Sequence, residues 1–271
     1  MGERKAIFID VDGTLVDERG RVPDSAVQAI TSARSRGHLV FLATGRSAFQ
    51  LWPEILAVGF DGLVGSSGSY VEIDGEVLAE HHLTEDQLRQ VAGYFGSGTA
   101  SYFLQSNDAS YASVGSRSQL QTMMAHLDIE IEGAFTFVDA VVDEDGPRGD
   151  VAKVIYFDCT EPVDVIRAQF PDLEVVPSSV DFLGRYAGEM SQGGITKATG
   201  IDVVLERVGL ALADAIAFGD SYNDVQMLGH VGLGIAMGGA PAEVVRVATE
   251  TTARPADDGL ALAFRRHGLS G

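Results

Sequence analysis

Four short stretches of the sequence carry side chains suited to binding a hard cation or a phosphate. The first is Asp10-Val11-Asp12-Gly13-Thr14. Two carboxylates at i and i+2, followed by a glycine and a hydroxyl, make a compact oxygen site for a metal ion. A surface turn with solvated acids fits the same string. The spaced acids and closing glutamate of a calcium-binding EF-hand are missing. The second stretch is Thr44-Gly45-Arg46. A hydroxyl and free backbone N–H groups ahead of a helix can hold a phosphate oxygen, and a helix N-cap with an exposed arginine is the plainer reading. The third is Lys197, which follows Gly193-Gly194. An ammonium there can neutralise a phosphate and a carboxylate together, or can simply sit in solvent. The fourth is Gly219-Asp220-Ser221-Tyr222-Asn223-Asp224. Asp220 and Asp224 on one helical turn point to one side and can share a metal. Acids at the positive end of a helix are also favourable without any function.

The surrounding pattern shows what must position these groups. Ala6–Ile9, Leu39–Ala43 and Asp214–Phe218 are apolar runs of buried-strand type, and each ends at one of the stretches above. In an open α/β sheet, ligands bind at the carboxyl ends of strands. Pro23 opens a helix with Ala26, Ala29, Ile30 and Ala33 on one face. A third strand is expected near Gly62–Val64, and a hairpin over Tyr70–Leu78 around Asp74-Gly75. Strand and helix alternation implies a parallel sheet with right-handed crossovers.

The middle of the chain has another rhythm. Thr84 and Gln87 form a capping-box pair before Leu88, Val91, Ala92 and Phe95, and Ser116 and Gln119 repeat it before Leu120, Met123, Met124 and Leu127. Strands are expected at Ser101–Leu104, Ala134–Val138, Val151–Asp158, Leu173–Val176 and Asp181–Tyr186, with a loop over Val142–Asp150. The first rhythm returns with an apolar helix face at Ile201, Val204, Leu205 and Val208, then strands at Val231–Met237 and Ala248–Thr252. The expected fold is α/β: a Rossmann-like parallel-sheet core from residues 1–81 and 186–271, with an inserted α+β cap domain over 82–185.

The 271 residues carry 19 Lys+Arg against 39 Asp+Glu, a net charge of −20. That field argues against a nucleic-acid or anionic-membrane partner. It admits an anionic substrate where a metal or a few cations invert it locally. With 45% hydrophobic residues the chain is globular rather than disordered. One cysteine, Cys159, excludes an intramolecular disulfide and is expected to be a buried thiol. No apolar run is long enough to span a membrane, and the first residues match neither a secretory signal nor a myristoylation motif. A cytoplasmic location is expected, with no obligatory protein partner.

Taken jointly, the four stretches resemble the haloacid dehalogenase-like hydrolase superfamily, and within it the Cof-type phosphatases with a large α/β (type IIB) cap. The motifs match as Asp10-Val11-Asp12-Gly13-Thr14-Leu15, Thr44-Gly45-Arg46, Lys197, and Gly219-Asp220-Ser221-Tyr222-Asn223-Asp224. Met227-Leu228, Gly234-Ile235-Ala236-Met237-Gly238 and Asp258-Gly259 extend the match. Three positions depart from the pattern: Ser67-Gly68-Ser69 where Asn-Gly-Ala is common, Gly238-Gly239-Ala240 where Gly-Asn-Ala follows Ala-Met, and Ala198 where glycine usually follows the lysine. None removes a catalytic group. The resemblance implies a phosphatase of a small phosphorylated metabolite, most often a sugar phosphate. It implies Asp10 as nucleophile and Asp12 as general acid/base. Thr44 and Lys197 would hold the transferring oxygens, with Gly13, Gly45, Arg46 and Asn223 supporting phosphate or substrate. Mg2+ would lie on Asp10, Asp12 (through its carbonyl), Asp220 and Asp224.

Rival readings have their own signals. A phosphomutase of the same superfamily needs a second phosphate site in the cap, where arginines are few. A non-catalytic small-molecule-binding protein on this fold would retain the motifs without turnover. A dinucleotide-binding turn at Gly232, Gly234 and Gly238 has its last glycine one residue late and falls within an expected strand.

Overall fold

The computed structural model describes residues 3–127, 141–142, 148–178 and 183–271. Their strands are β1 (Ala6–Ile9), β2 (Leu39–Ala43), β3 (Gly62–Gly65), β4 (Tyr70–Ile73), β5 (Glu76–Glu80), β6 (Ser101–Gln105), β7 (Ser110–Ala112), β8 (Val141–Val142), β9 (Lys153–Phe157), β10 (Leu173–Pro177), β11 (Gly188–Gln192), β12 (Ala215–Gly219), β13 (Leu233–Ala236) and β14 (Glu250–Thr251). The helices are α1 (Asp24–Ser35), α2 (Pro53–Leu56), α3 (Glu85–Tyr94), α4 (Ser116–Leu127), α5 (Val163–Gln169), α6 (Lys197–Val208), α7 (Val225–His230), α8 (Ala242–Val247) and α9 (Gly259–Arg266).

Two compact units divide the chain. The first comprises Met1–Arg46, Leu51–Ala79 and Thr196–Gly271. Its eight-stranded sheet has the order β14-β13-β12-β1-β2-β3-β4-β5. From β14 to β3 every pairing is parallel, and β4 turns back antiparallel to β3. β1 through β3 extend the sheet to one side, and β12 through β14 extend it to the other. The order therefore reverses between β1 and β12, where the loops leaving the strand ends diverge and open a crevice. The central strands are closed to water: every residue of β1 and Val40–Ala43 of β2 is buried. Helix α1 buries Ala26, Ala29, Ile30 and Ala33, the face its periodicity predicts. Helix α6 packs Ile201, Val204 and Leu205 into one cluster with Phe8, Phe41, Val64 and Met227.

Glycines in the supposed dinucleotide turn have packing roles instead. Gly234 lies inside β13, and a Cβ there would come 2.0 Å from the Leu228 carbonyl oxygen. The hairpin over β4 and β5 turns through Asp74 and Gly75 at φ 50° and 80°, as the Asp-Gly pair predicts.

The second unit comprises Ser47–Gln50 and Glu80–Ile195. Its six-stranded sheet has the order β10-β11-β9-β6-β7-β8. One face carries Tyr102, Leu104, Val154, Tyr156, Val175 and Met190 into a core with Leu88, Val91 and Phe95. The opposite face sets Phe103 and Phe157 against Leu120 and Met124 of α4. Phe103 and Phe157 stack at 5.1 Å between ring centroids.

Several local expectations change here. The strand expected at Asp181–Tyr186 is not one where it is described: Leu183–Tyr186 forms a turn closed by the Ala187 N–H on the Gly184 carbonyl, with Gly184 at φ 102°. Extended pairing starts at Gly188 instead. That strand, β11, lacks the β-branched residues that would have marked it, and it carries the second unit to Ile195, past the 185/186 division read from the sequence. Ser116 does not cap α4. It is the first helical residue, and its hydroxyl accepts from the Tyr102 N–H at 3.1 Å. Thr84, by contrast, forms the expected reciprocal box with Gln87. Ala92 faces solvent. Cys159 is half-buried, its Sγ 3.4 Å from the Glu161 carbonyl. The expected strand Ala134–Val138 lies outside the described residues.

Candidate active site

Asp10 is the first residue beyond β1, and its N–H donates to the Phe218 carbonyl of β12 at 3.0 Å. This bond places the end of β1 beside the loop that starts at Asp220. Asp10 is 4% exposed. Lys197, the first residue of α6, is fully buried and lies between two carboxylates. Its ammonium donates to Asp10 Oδ1 at 2.7 Å and to Asp224 Oδ1 at 2.6 Å. Thr196 caps α6 through a reciprocal box with Thr199, so the lysine leaves a rigid helix start.

Asp224 is itself held. Its Oδ2 accepts from the N–H groups of Asp220 and Ser221, each at 2.9 Å. The loop closes this tightly because residue 219 is glycine: a Cβ there would fall 2.5 Å from Asp224 Cγ. Asp220 takes the Thr14 hydroxyl on Oδ1 at 2.9 Å. Gly13, at φ 74°, lies so close that a Cβ would meet Asp220 Oδ2 at 2.3 Å. Glycine is required there both for its backbone and for its lack of a side chain. Ligand atoms of Asp10, Asp220 and Asp224 all lie within 4.8 Å of one another.

The electrostatics follow from burial. Desolvation pushes the Asp10 carboxyl well up, and Asp224, Asp220 and Asp12 add to the rise against the pull of Lys197. Asp220 is pushed up to about 7 by burial and by Asp224, against the Thr14 hydrogen bond. Burial alone would lower Lys197, but Asp10 and Asp224 outweigh it and raise its pKa. One ammonium thus faces three clustered carboxylates. The donor set is all oxygen and its charge is undercompensated, which suits a hard divalent cation.

Asp12 stands apart from this cluster. Its carboxylate is half-exposed and takes both arms of the Arg46 guanidinium, Nε and Nη2 each at 2.7 Å. Arg46 also lies 4.8 Å from the centroid of the Trp52 ring. Thr44 is 1% exposed and is pinned to β3 by its N–H on the Val64 carbonyl at 2.8 Å, while its hydroxyl accepts from the Arg46 N–H at 3.1 Å. Gly45 joins these two residues. Asn223 accepts the Ser221 hydroxyl at 2.6 Å.

The structure therefore brings Asp10, Asp220, Asp224 and Lys197 together, with Gly13 against Asp220. The Arg46 guanidinium, which the resemblance assigns to phosphate or substrate, is paired with Asp12. Thr14, the hydroxyl that the sequence places in the first oxygen site, donates to Asp220. One contact escaped the sequence reading. The sequence carries no signal of the contact between Trp52 and Arg46.

A family model described as haloacid dehalogenase-like hydrolase matches residues 7–264. The chain belongs to the haloacid dehalogenase-like hydrolases. Putative phosphatase YkrA of Bacillus subtilis (strain 168) is 28% identical over 270 residues, covering 98% of this chain and 99% of the relative. HMP-PP phosphatase of Shigella flexneri is 27% identical, covering 87% and 85% respectively. A crystal structure from Geobacillus kaustophilus HTA426 superposes with TM-score 0.81 at 28% identity, covering 98% of this chain and 100% of that one. The subclass IIB sugar phosphatase BT4131 shares the fold, with TM-score 0.79 at 23% identity and coverage of 98% and 99%. The enzyme class is that of a haloacid dehalogenase-like phosphatase, with a parallel-sheet core and an inserted cap.

Proposed function

We propose that this haloacid dehalogenase-like hydrolase is a magnesium-dependent phosphatase acting on a small phosphorylated metabolite of the sugar-phosphate class. The observation that carries this reading is the buried Asp10 held by Lys197 beside Asp220 and Asp224, at the point where the strand order reverses. The sugar-phosphate class is supported by the shared fold with the sugar phosphatase; HMP-PP phosphatase, among the sequence relatives, widens the panel to be tested.

In the proposed mechanism an oxygen of Asp10 attacks phosphorus, and the bond to the ester oxygen breaks. Asp12 gives its proton to the departing oxygen, so the leaving group departs as an alcohol. Asp12, now a carboxylate, takes a proton from water. The resulting hydroxide attacks phosphorus and releases inorganic phosphate from Asp10. Thr44, Gly45 and Lys197 hold the transferring oxygens, where charge builds in line. Asp10, the Asp12 carbonyl and Asp220 would hold Mg2+, with Asp224 supporting. The ion would let an anionic nucleophile approach an anionic phosphate.

Phosphate release across a panel of phosphorylated metabolites, with and without magnesium, tests this. Wild type should release phosphate, chelator should abolish it, and Asp10→Asn should be inactive while its circular dichroism is unchanged. Full activity of the folded Asp10→Asn variant would remove Asp10 as nucleophile. A folded wild type that releases nothing from any ester would favour the binding-protein reading.

A further inference from the structure

The turn after β3 carries two local costs. Ser66 and Ser67 have φ of 48° and 57°, and Gly68 follows at 103°. An L side chain in the left-handed region crowds the following carbonyl, and two in succession are unusual. The Ser67 hydroxyl is moreover buried without a hydrogen-bond partner. A glycine at 67 would remove the Ser67 share of the first cost and the whole of the second.

The turn is clamped on two sides. The Ser66 N–H donates to the Arg46 carbonyl at 2.8 Å, and the Ser67 N–H donates to the Thr44 carbonyl at 3.0 Å. On the other side Gly68 lies against the start of α6. A Cβ on Gly68 would fall 2.0 Å from the Thr196 carbonyl oxygen and 3.1 Å from the Lys197 backbone nitrogen. One turn further along α6, a Cβ on Gly200 would come 2.5 Å from Val64 Cγ1 and 3.4 Å from Gly68 Cα. Three residues thus fill the space between the backbone that carries Thr44 and the backbone that carries Lys197. Strained conformations persist where their surroundings over-determine them, and they concentrate at functional sites.

We propose that Ser66–Gly68 is a strained strut that sets the spacing of Thr44 and Lys197, with Ser67 as its positioning residue. The inference rests on the function proposed above, which assigns Thr44 and Lys197 to the transferring oxygens. Two groups held at a set separation can favour trigonal-bipyramidal over tetrahedral phosphorus. Loosening the strut should therefore cost transition-state binding and spare ground-state binding.

Ser67→Gly relieves the strain at residue 67, removes the unpaired hydroxyl and frees the backbone there. Ser67→Asn keeps a side chain of a type that tolerates the left-handed region. Both are made in the full chain. Ser67→Gly should melt at or above the wild-type temperature. Its kcat should fall about tenfold with KM within about twofold, and inhibition by orthovanadate should weaken about tenfold while inhibition by inorganic phosphate stays within about twofold. Ser67→Asn should keep wild-type kcat and vanadate inhibition. Wild-type kcat and vanadate inhibition in Ser67→Gly would overturn the strut. So would a fall in its melting temperature in step with its activity, because that describes a merely structural turn. If wild type hydrolyses no ester, the proposed function fails separately. The strut then rests on the melting comparison, where Ser67→Gly below wild type overturns it and at or above supports it.

Discussion

Lys197 shows what a single side chain does in this site. Fully buried, it counters the charge of Asp10 and Asp224 together. Lys197→Ala would leave two carboxylates facing each other out of water. Removing one partner of a buried pair costs roughly 3–5 kcal/mol, so a lowered urea midpoint is expected along with a large loss of kcat/KM. An unchanged kcat/KM would sink its assigned role. The carboxylates also set a pH dependence. Asp220 has an ordinary value of 3.8 and is pushed up to about 7, and Asp10 shifts the same way. Without metal, the folded protein therefore keeps protons that the unfolded chain has already lost, and its stability falls as pH rises from about 4 to about 7. Magnesium should reduce that fall, because binding it releases the same protons. Calorimetric melting across this range, with and without magnesium, checks both; a metal-free stability that climbs towards pH 7 would contradict the assignment. At Gly13, a Cβ would meet Asp220 and the φ of 74° disfavours any side chain. Gly13→Ala should weaken magnesium binding at least tenfold by titration, through displacement of Asp220.

At the scale of elements, the candidate site is a set of strand ends and one helix start. β1 and β12 run side by side in register Ile9 to Phe218, which makes Asp10 and Asp220 neighbours though they are 210 positions apart in the chain. Helix α6 brings Lys197 to the same edge, fixed by the Thr196 cap and by Gly200 packed on Val64. The second unit has its own core, and α3 is tied to it through Leu88 and Val91. Its capping box offers a control far from the chemistry in sequence. Thr84→Ala should lower stability by about 1 kcal/mol in urea unfolding and leave kcat on a small phosphate ester unchanged. No loss of stability would mean that the Thr84 cap contributes nothing.

For the whole molecule, the net charge of −20 surrounds a site proposed to take an anionic ester. The distant field repels such a substrate, while Lys197 and the proposed metal attract it only at short range. Screening lengths shrink from about 30 Å at 0.01 M salt to about 8 Å at 0.15 M. Raising ionic strength with an inert salt at saturating magnesium should therefore raise kcat/KM several-fold, mainly through KM. A fall with salt would mean that local cations dominate substrate capture.

The chain by itself determined the candidate groups and the sheet that carries them. Apolar runs such as Ala6–Ile9 fit buried strands, and acids placed directly after them fall at the strand ends where an open sheet binds ligands. The periodicity of Asp24–Ser35 was legible for the same reason: burial on one face writes a 3.6-residue pattern. Strand β11 was not legible, since its pairing comes from its neighbours β9 and β10 and not from its own residues. Tertiary structure alone decided that Arg46 grips Asp12 over Trp52, that Lys197 is buried between two acids, and that Ser67 is held left-handed. Each depends on distances between segments remote in sequence, and a local pattern carries no record of such distances.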